Sequence, residues 1–581
     1  MKVLLVPAIR RGMGSGHLRR CLGLARRWGG DAAVLLEDCR ARSGCDAGQL
    51  LAPLDAEGLR PRILEAFDPR EPWDLVLLDR WRTDLSALEC FARLPVVGLD
   101  EGGPARRFFP YLIDTPVGWS AGHSPNLAST AFLDLPPRRA GWNYPFRRVL
   151  LSFGGEDAAD LSGRLLDSLL ARGVFRAEEL TVVQGPYFRR TRWPAGITVL
   201  VNPRLQPLLA GYDLVLTMFG LTAIEALSAG VPVIAFNPSR YHRRLARAAG
   251  LPEIGVRRPR VGRLRGLLAD RELFERLLDP RPPASPAHTL EGLSPQALLP
   301  ALLPTGSCDC PACKQHLSPA VARFPRRSYF RCRRCGLIYL ACFGVETRNY
   351  GESYFFEEYR RQYGRTYLED FAAIKASGGE RLRLLRRFLP RWADGPPRLL
   401  DVGCAYGPFL QAARELGMAA EGLDVSAEAA GYVREELGIP CTRGDFLQDA
   451  IPGGPFDALT MWYVLEHFPD AAGALRRANR LLRAGGVLAF STPSAGGISA
   501  RRSLRSFLQG SPTDHFTVWS PRLTRPLLRR FGFSLRRVRV TGHHPERFPQ
   551  GLPPRVLEAA SRLFALGDTF EAYAVKTGEP A

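Results

Sequence analysis

The chain has 581 residues, with 79 Lys and Arg against 58 Asp and Glu, and a formal net charge of +21 at pH 7. The length excludes a single domain and predicts about three or four. Nearly all the basic charge is arginine, the only lysines being Lys2, Lys314, Lys375 and Lys576, and it is spread without a dense basic tail, so it reads as background charge with a share facing phosphates.

In chain order, Met1–Pro7 reads as a buried strand of the parallel-sheet kind, too short an apolar run for a signal peptide. Gly12-Met13-Gly14-Ser15-Gly16-His17-Leu18-Arg19-Arg20-Cys21 then makes a glycine-rich loop that opens a helix. Further strands are expected at Ala33–Leu36, Leu75–Asp79 and Val96–Asp100. A second half starts at Val149-Leu150-Leu151-Ser152-Phe153-Gly154-Gly155-Glu156-Asp157. Its strand Leu214–Thr217 leads into Phe219-Gly220-Leu221-Thr222-Ala223-Ile224-Glu225-Ala226, and Val231–Phe236 follows Gly230. The pattern predicts an α/β fold of two Rossmann-like lobes, residues 1–142 and 143–278, each with a glycine loop facing a cleft.

Two such lobes are the GT-B architecture of nucleotide-sugar enzymes. Gly14-x-Gly16-His17-x-x-Arg20-Cys21 and Ser152-Phe153-Gly154-Gly155-x-Asp157 resemble the UDP-sugar hydrolases of pseudaminic acid synthesis, relatives of the peptidoglycan UDP-N-acetylglucosamine transferase. The resemblance implies a catalytic His17, with Gly14 and Gly16 beside it in the first lobe's loop. It implies a nucleotide site in which the amides around Gly154, Gly155 and Gly220 meet the diphosphate and Glu225 holds the uridine ribose. The family's usual small residues ahead of the Thr222–Glu225 segment are replaced here by Met218, Phe219 and Leu221. Against catalysis stands a plainer role for His17 as a helix cap. Tyr241-His242-Arg243, after the last strand, is a candidate contact to sugar or phosphate.

Asp279-Pro280-Arg281-Pro282-Pro283-Ala284-Ser285-Pro286 opens a Pro-rich connection, 279–307, expected to be stiff and poorly structured. Residues 308–345 carry Cys310-Pro311-Ala312-Cys313 and Cys332-Arg333-Arg334-Cys335, two Cys-x-x-Cys pairs at structural-zinc spacing. Four thiolates on two tight knuckles would close a tetrahedron around Zn²⁺ and fold a segment too small for its own core. Cys308 and Cys342 are read as non-ligands. An aromatic helical connector, 346–379, follows with Tyr350, Gly351, Tyr354, Phe355, Phe356 and Tyr359. It packs the ribbon onto the next domain or covers a substrate mouth.

In residues 380–577, Leu399-Leu400-Asp401-Val402-Gly403-Cys404-Ala405-Tyr406-Gly407 is an apolar strand running into a glycine turn, and Pro408 suits a first helical position. Gly422-Leu423-Asp424 ends a second strand where a Rossmann-type site places the carboxylate that grips a ribose. Gly444-Asp445-Phe446 closes a third step, Phe456–Met461 reads as a fourth strand before Leu465-Glu466-His467-Phe468, and Leu481–Phe490 as a helix end, a Gly-Gly turn and a fifth strand. This ladder resembles the class I S-adenosylmethionine-dependent methyltransferases. The resemblance implies that Asp401, Gly403, Ala405 and Gly407 line the methionine and sulfonium side of S-adenosylmethionine. Asp424 would hold the ribose hydroxyls, and Asp445 and Phe446 would bracket the adenine. Alanine stands at 405 where family members usually carry glycine. A nicotinamide-binding Rossmann domain is the alternative, and the fourth and fifth strand motifs argue against it.

An alcohol acceptor needs a base in reach. His467, at the end of the fourth strand, and His515, in Asp514-His515-Phe516 ahead of a helix, are the candidates; the plain alternative is that each caps or packs. Glu466 reads as a structural or cofactor-side contact. A small Cys-x-x-Cys module, an aromatic stretch and a class I domain also resemble methyltransferases of surface-polysaccharide and deoxysugar pathways. The whole then implies a bifunctional cytoplasmic enzyme that methylates a nucleotide-linked sugar or glycan and hydrolyses a nucleotide sugar with release of UDP. No stretch is long and apolar enough to span a bilayer, and scattered cysteines fit a reducing cytosol. Two rivals remain: a zinc-ribbon ribosomal RNA guanine methyltransferase, disfavoured because no nucleic-acid partner needs a UDP-sugar cleft, and a methyltransferase with a non-catalytic glycan-binding module.

Overall fold

The computed structural model describes residues 1–9, 16–36, 51–52, 61–115, 123–190, 192–279, 294–344, 364–390, 395–548 and 553–580. Gly14, residues 280–293 of the Pro-rich stretch and the aromatic residues 350–359 lie outside the described residues. The chain divides into two compact units, Met1–Leu303 and Pro304–Ala581.

The first unit holds two parallel sheets. One is built from β1 (Val3–Pro7), β2 (Ala32–Leu35), β3 (Arg62–Leu64), β4 (Leu75–Asp79), β5 (Val96–Leu99), β6 (Tyr111–Asp114) and β7 (Leu127–Ala128), in the order β3-β2-β1-β4-β5-β6-β7. The other is built from β8 (Val149–Ser152), β9 (Leu180–Gln184), β10 (Thr198–Val201), β11 (Leu214–Thr217), β12 (Val233–Asn237) and β13 (Glu253–Val256), in the order β10-β9-β8-β11-β12-β13. Every residue of β1, β4, β8, β11 and β12 is buried, as expected when helices cover both faces of a parallel sheet. In each sheet the strand order reverses beside the first strand, between β1 and β4 and between β8 and β11. That reversal opens a crevice at the carboxyl ends of those strands.

Buried ion pairs pin the carboxyl ends of the first sheet. Arg20, on the Gly16–Trp28 helix, donates from Nε to Asp79 Oδ2 at 2.7 Å and from Nη1 to Asp100 Oδ2 at 2.6 Å. Arg106 grips Asp114 bidentately, at 2.9 and 2.7 Å, with both side chains 1% exposed. Burial would raise the Asp79 carboxyl, but the charges and hydrogen bonds of Arg20 and His17 outweigh it and hold the group down at about 2.

The tail of the presumed linker differs from expectation. Residues 294–302 form helical turns with Leu298, Leu299 and Leu302 buried, so these apolar side chains pack instead of remaining in an extended connection.

The second unit begins with an antiparallel sheet of β14 (Ala320–Phe324), β15 (Arg327–Arg331) and β16 (Ile338–Cys342). A larger sheet follows from β17 (Arg398–Val402), β18 (Ala419–Asp424), β19 (Cys441–Arg443), β20 (Phe456–Trp462) and β21 (Leu482–Pro493). A short β22 (Thr517–Val518) precedes β23 (Phe533–Thr541) and β24 (Thr569–Lys576). The large sheet runs β19-β18-β17-β20-β21-β24-β23, with β24 antiparallel to both neighbours. Instead of joining it, β22 pairs with β16, Ile338 against Val518 and Tyr339 against Thr517, and extends the small sheet. His515 is therefore followed by a strand before the helix at Pro521–Arg529, not by the helix itself.

Two further expectations are corrected. The helix Phe371–Leu385 runs through the presumed boundary at 379, because Leu382 and Leu385 are buried in one core with Leu399, Phe409 and Leu410. The Gly485-Gly486 turn is absorbed into a continuous β21, whose register against β20 shifts between Phe456 and Ala458.

Two outcomes follow for the first unit. Asp114→Ala leaves Arg106 buried and uncompensated, and should lower unfolding free energy in denaturant titrations by about 3–5 kcal/mol. The Asp79 carboxyl is depressed in the folded state, so its contribution is present above the unfolded value near 3.8 and is lost as pH falls through about 2. Acid titration of stability should lose roughly 2 kcal/mol between about pH 4 and 2 from this group, and Asp79→Asn should flatten that part of the profile.

Candidate functional site

The first unit's candidate residues gather where its sheets reverse. His17 is the second residue of the helix after β1, and its Nδ1 lies 2.7 Å from Asp79 Oδ1 at the end of β4. An ionised carboxylate only accepts, so Nδ1 is the protonated nitrogen of the pair, and a neutral ring would have its lone pair on Nε2. His17 and Asp79 thus form a hydrogen-bonded pair. Asp79 was missed in the sequence; the available signal was an acidic residue closing an otherwise apolar strand beside the glycine loop.

In the second lobe, Gly154 has φ +82°, and an added Cβ there would lie 3.2 Å from Met218 Cε. Gly185 backs the same loop so closely that a Cβ on it would sit 2.5 Å from the Gly155 carbonyl oxygen. Asp157 accepts from the amides of Leu161 and Ser162 at 2.7 and 2.8 Å, so it caps the next helix. Gly220 is extended, with open space over its Cα. Glu225 Oε1 accepts from Gln206 Nε2 at 3.1 Å, and burial together with the Asp134 charge pushes its carboxyl up to about 7, against the opposing Arg19 charge. The two loops approach one another: a Cβ on Gly16 would lie 3.3 Å from Leu221 Cδ1, and Arg19 donates to Asn202 Oδ1. Tyr241 and His242 pack on Trp81, with ring centroids at 5.1 and 6.3 Å, and burial lowers the His242 pKa.

In the second unit, Cys310, Cys313, Cys332 and Cys335 each place a sulfur within 4.8 Å of the others. Cys310 Sγ is 3.5 Å from Cys335 Sγ, and Cys313 Sγ is 3.4 Å from Cys332 Sγ. Amides of Arg334 and Cys335 point at Cys332 Sγ, both at 3.4 Å. Cys308 and Cys342 stand outside this cluster, and Cys342 Sγ contacts Thr513 O.

At the large sheet's reversal, β17 lies between β18 and β20. Gly403, Ala405 and Gly407 all have positive φ, at +68°, +47° and +78°. A Cβ on Gly403 would fall 2.4 Å from Val464 Cγ2, which makes glycine obligatory there. Alanine at 405 bears its left-handed conformation with its amide donating to Asp424 Oδ2 at 2.8 Å. Asp424 Oδ1 also accepts from the Ser426 amide at 2.9 Å. Asp401 accepts from Thr460 Oγ1 at 2.6 Å, and burial, reinforced by the Asp424 charge, pushes it up to about 7. Asp445 is engaged by the Leu447 amide and the Gln448 side chain, and Phe446 is buried against Phe468 and the Arg477 guanidinium.

The turn Leu465–His467 follows β20. His467 Nδ1 lies 3.1 Å from Asp514 Oδ2, and the His467 and His515 rings meet edge-to-face at 4.6 Å. The two candidate histidines are thus brought together, with Asp514 as a partner the sequence did not single out. Glu466 is wholly buried beside them, and burial pushes its carboxyl up to about 7. Tyr463, at φ +59°, presents a partly exposed ring at the same strand end.

Residues 370–538 match the family model described as a methyltransferase domain. Over 118 residues the chain is 33% identical to a ubiquinone biosynthesis O-methyltransferase of Methylococcus capsulatus, covering 19% of this chain and 46% of that protein. A second such enzyme, from Idiomarina loihiensis, is 28% identical over 147 residues, 24% of this chain and 57% of the other. The chain spans about half the length of the curated relatives it matches. Among solved structures, a SAM-dependent methyltransferase from Archaeoglobus fulgidus aligns at 17% identity and a TM-score of 0.29, over 38% of this chain and 98% of that one. Sheet order, glycine turn and family match agree: residues 370–538 of this chain form a methyltransferase domain of the class I fold.

Proposed function

We propose that the second unit uses S-adenosylmethionine to methylate a small acceptor, a nucleotide-linked sugar or a glycan, and that the first unit binds a nucleotide sugar and hydrolyses it with release of UDP. The observation that carries the first part is the crevice at β17 and β20, where Asp401, the turn at Gly403, Ala405 and Gly407, and Asp424 lie at the carboxyl ends of β17 and β18, and the turn bearing His467, paired with Asp514, follows β20. The residues suit this cofactor. Positive-φ backbone permits close approach at the turn, Asp424 has lone pairs left for ribose hydroxyls, and two buried carboxyls favour a cationic sulfonium. Asp445 and Phe446 would flank the adenine.

Bound there, the cofactor supplies an electrophilic methyl group on a positively charged sulfur. The chain's part is to align the acceptor and accept its proton. Asp514 would accept a hydrogen bond from the Nδ1–H of His467, leaving the Nε2 lone pair to face the acceptor, and His515 would share the mouth. In the first unit, His17 Nε2, oriented by Asp79, would take a proton from water. Amides around Gly16, Gly154, Gly155 and Gly220 would hold the diphosphate and Glu225 the uridine ribose. The four-cysteine cluster would hold a structural Zn²⁺, since sulfurs at 3.4–3.5 Å close readily on a tetrahedral ion. Such thiolates persist in a reducing compartment, which supports a cytoplasmic location.

Mass spectrometry of UDP-, GDP- and dTDP-sugars incubated with the protein and methyl-labelled cofactor tests both halves. His467→Ala should lower methyl-transfer kcat by roughly 10²–10³ with little change in the affinity for S-adenosylhomocysteine, whereas Asp424→Ala should weaken that affinity. Absence of cofactor binding by calorimetry to folded protein would sink the methyltransferase reading. UDP release that survives His17→Ala would remove the dyad from hydrolysis. Cys313→Ser should lose bound zinc and lower the melting temperature of the second unit.

A further inference from the structure

We propose that Glu466, His467 and His515 form a binding site for one divalent transition-metal cation, separate from the four-cysteine cluster. One donor atom from each residue lies within 4.8 Å of the other two. The donors come from two segments far apart in sequence, the turn Leu465–His467 after β20 and the segment leading into β22. One carboxylate and two imidazoles on one side of an ion leave further coordination positions open, a set that suits Mn²⁺, Fe²⁺, Co²⁺ or Zn²⁺.

A second, independent observation points to a ligand. Glu466 is fully buried, and neither carboxylate oxygen has a hydrogen-bond partner. The buried Thr492 hydroxyl interacts with that carboxylate without closing a full hydrogen bond to it. Orphaned buried oxygens are expensive and uncommon in folded proteins. A cation between Glu466 and the two rings accounts for them. Asp514 completes the arrangement: its contact with His467 Nδ1 at 3.1 Å is the carboxylate behind an imidazole that orients metal-bound histidines.

The role of the cation rests on the methyltransferase reading. At the mouth of that crevice, open positions would take a hydroxyl oxygen of the acceptor and a neighbouring oxygen, which selects a vicinal diol or an α-hydroxy ketone. The cation lowers the pKa of the bound hydroxyl, whose proton passes to water. The acceptor oxygen then bonds to the methyl carbon while the carbon–sulfur bonding pair stays on sulfur. His467 serves as a ligand and no longer as the base.

The test uses the full chain with its cysteine cluster loaded with zinc, titrated with Mn²⁺ alone and followed by the electron paramagnetic resonance signal of free Mn²⁺. Mn²⁺ prefers oxygen and nitrogen donors to thiolates, so it reports on this cluster. The expected result is saturable binding of one Mn²⁺ per chain, weakened roughly tenfold or more in His515→Ala and in Glu466→Gln. His515 lies half-exposed, so its variant remains informative if the Glu466 variant does not fold. No saturable binding, or equal binding by wild type and both folded variants, overturns the site. Calorimetry with S-adenosylhomocysteine on the same samples separates the two readings. Mn²⁺ binding without cofactor binding leaves the metal site and removes its role in methylation, and cofactor binding without Mn²⁺ binding does the reverse.

Discussion

Everything in this molecule that resembles a site depends on one constraint of parallel sheets. A strand followed by a helix returns beside its predecessor, and where the chain changes direction across the sheet the connections leaving the carboxyl ends of two neighbouring parallel strands turn to opposite faces. The gap between them exposes helix N-termini and loop amides that the sheet cannot satisfy. Three sheets here make that reversal, at β1 and β4, at β8 and β11, and at β17 and β20. His17 with Asp79, Gly154 with Glu225, and the Gly403–Gly407 turn with Glu466 and His467 each occupy one of these gaps.

The buried charges divide into two kinds. In the first sheet, Asp79, Asp100 and Asp114 are met by Arg20 and Arg106, whose planar forks reach both oxygens of a carboxylate. Their low dielectric surroundings strengthen the attraction enough to keep Asp79 near 2. Around the methyltransferase crevice, Asp401 and Asp424 are buried with hydrogen-bond donors and without a cation bonded to them, and both are raised. The first arrangement holds elements together. The second relies on hydrogen-bond donors to satisfy its carboxyls.

The small sheet takes in a strand from the methyltransferase-domain segment through backbone hydrogen bonds. Strand β22 leaves the segment carrying Asp514 and His515 and pairs with β16, three residues after Cys335. The cysteine knuckles thereby fix a strand that positions one face of the crevice. A ribbon of this size has too little apolar surface to hold that strand by itself; Leu508 and Val518 complete a core with Tyr329, Ile338 and Leu340.

The sequence by itself determined the repeating strand, glycine turn and helix, because near-continuous apolar runs ending in glycine have few other solutions. Leu75–Asp79 and Leu214–Thr217 lie where periodicity placed them, and the two Cys-x-x-Cys pairs converge. Only the tertiary structure decided what faces what. Asp79 lies 62 residues from His17, and Asp514 lies 47 from His467. Neither pairing leaves a local trace, since it arises from neighbouring strands and from a strand exchanged into another sheet. The same holds for the packed helix at 371–385 and the folded turns at 294–302, whose burial depends on surfaces supplied by distant segments.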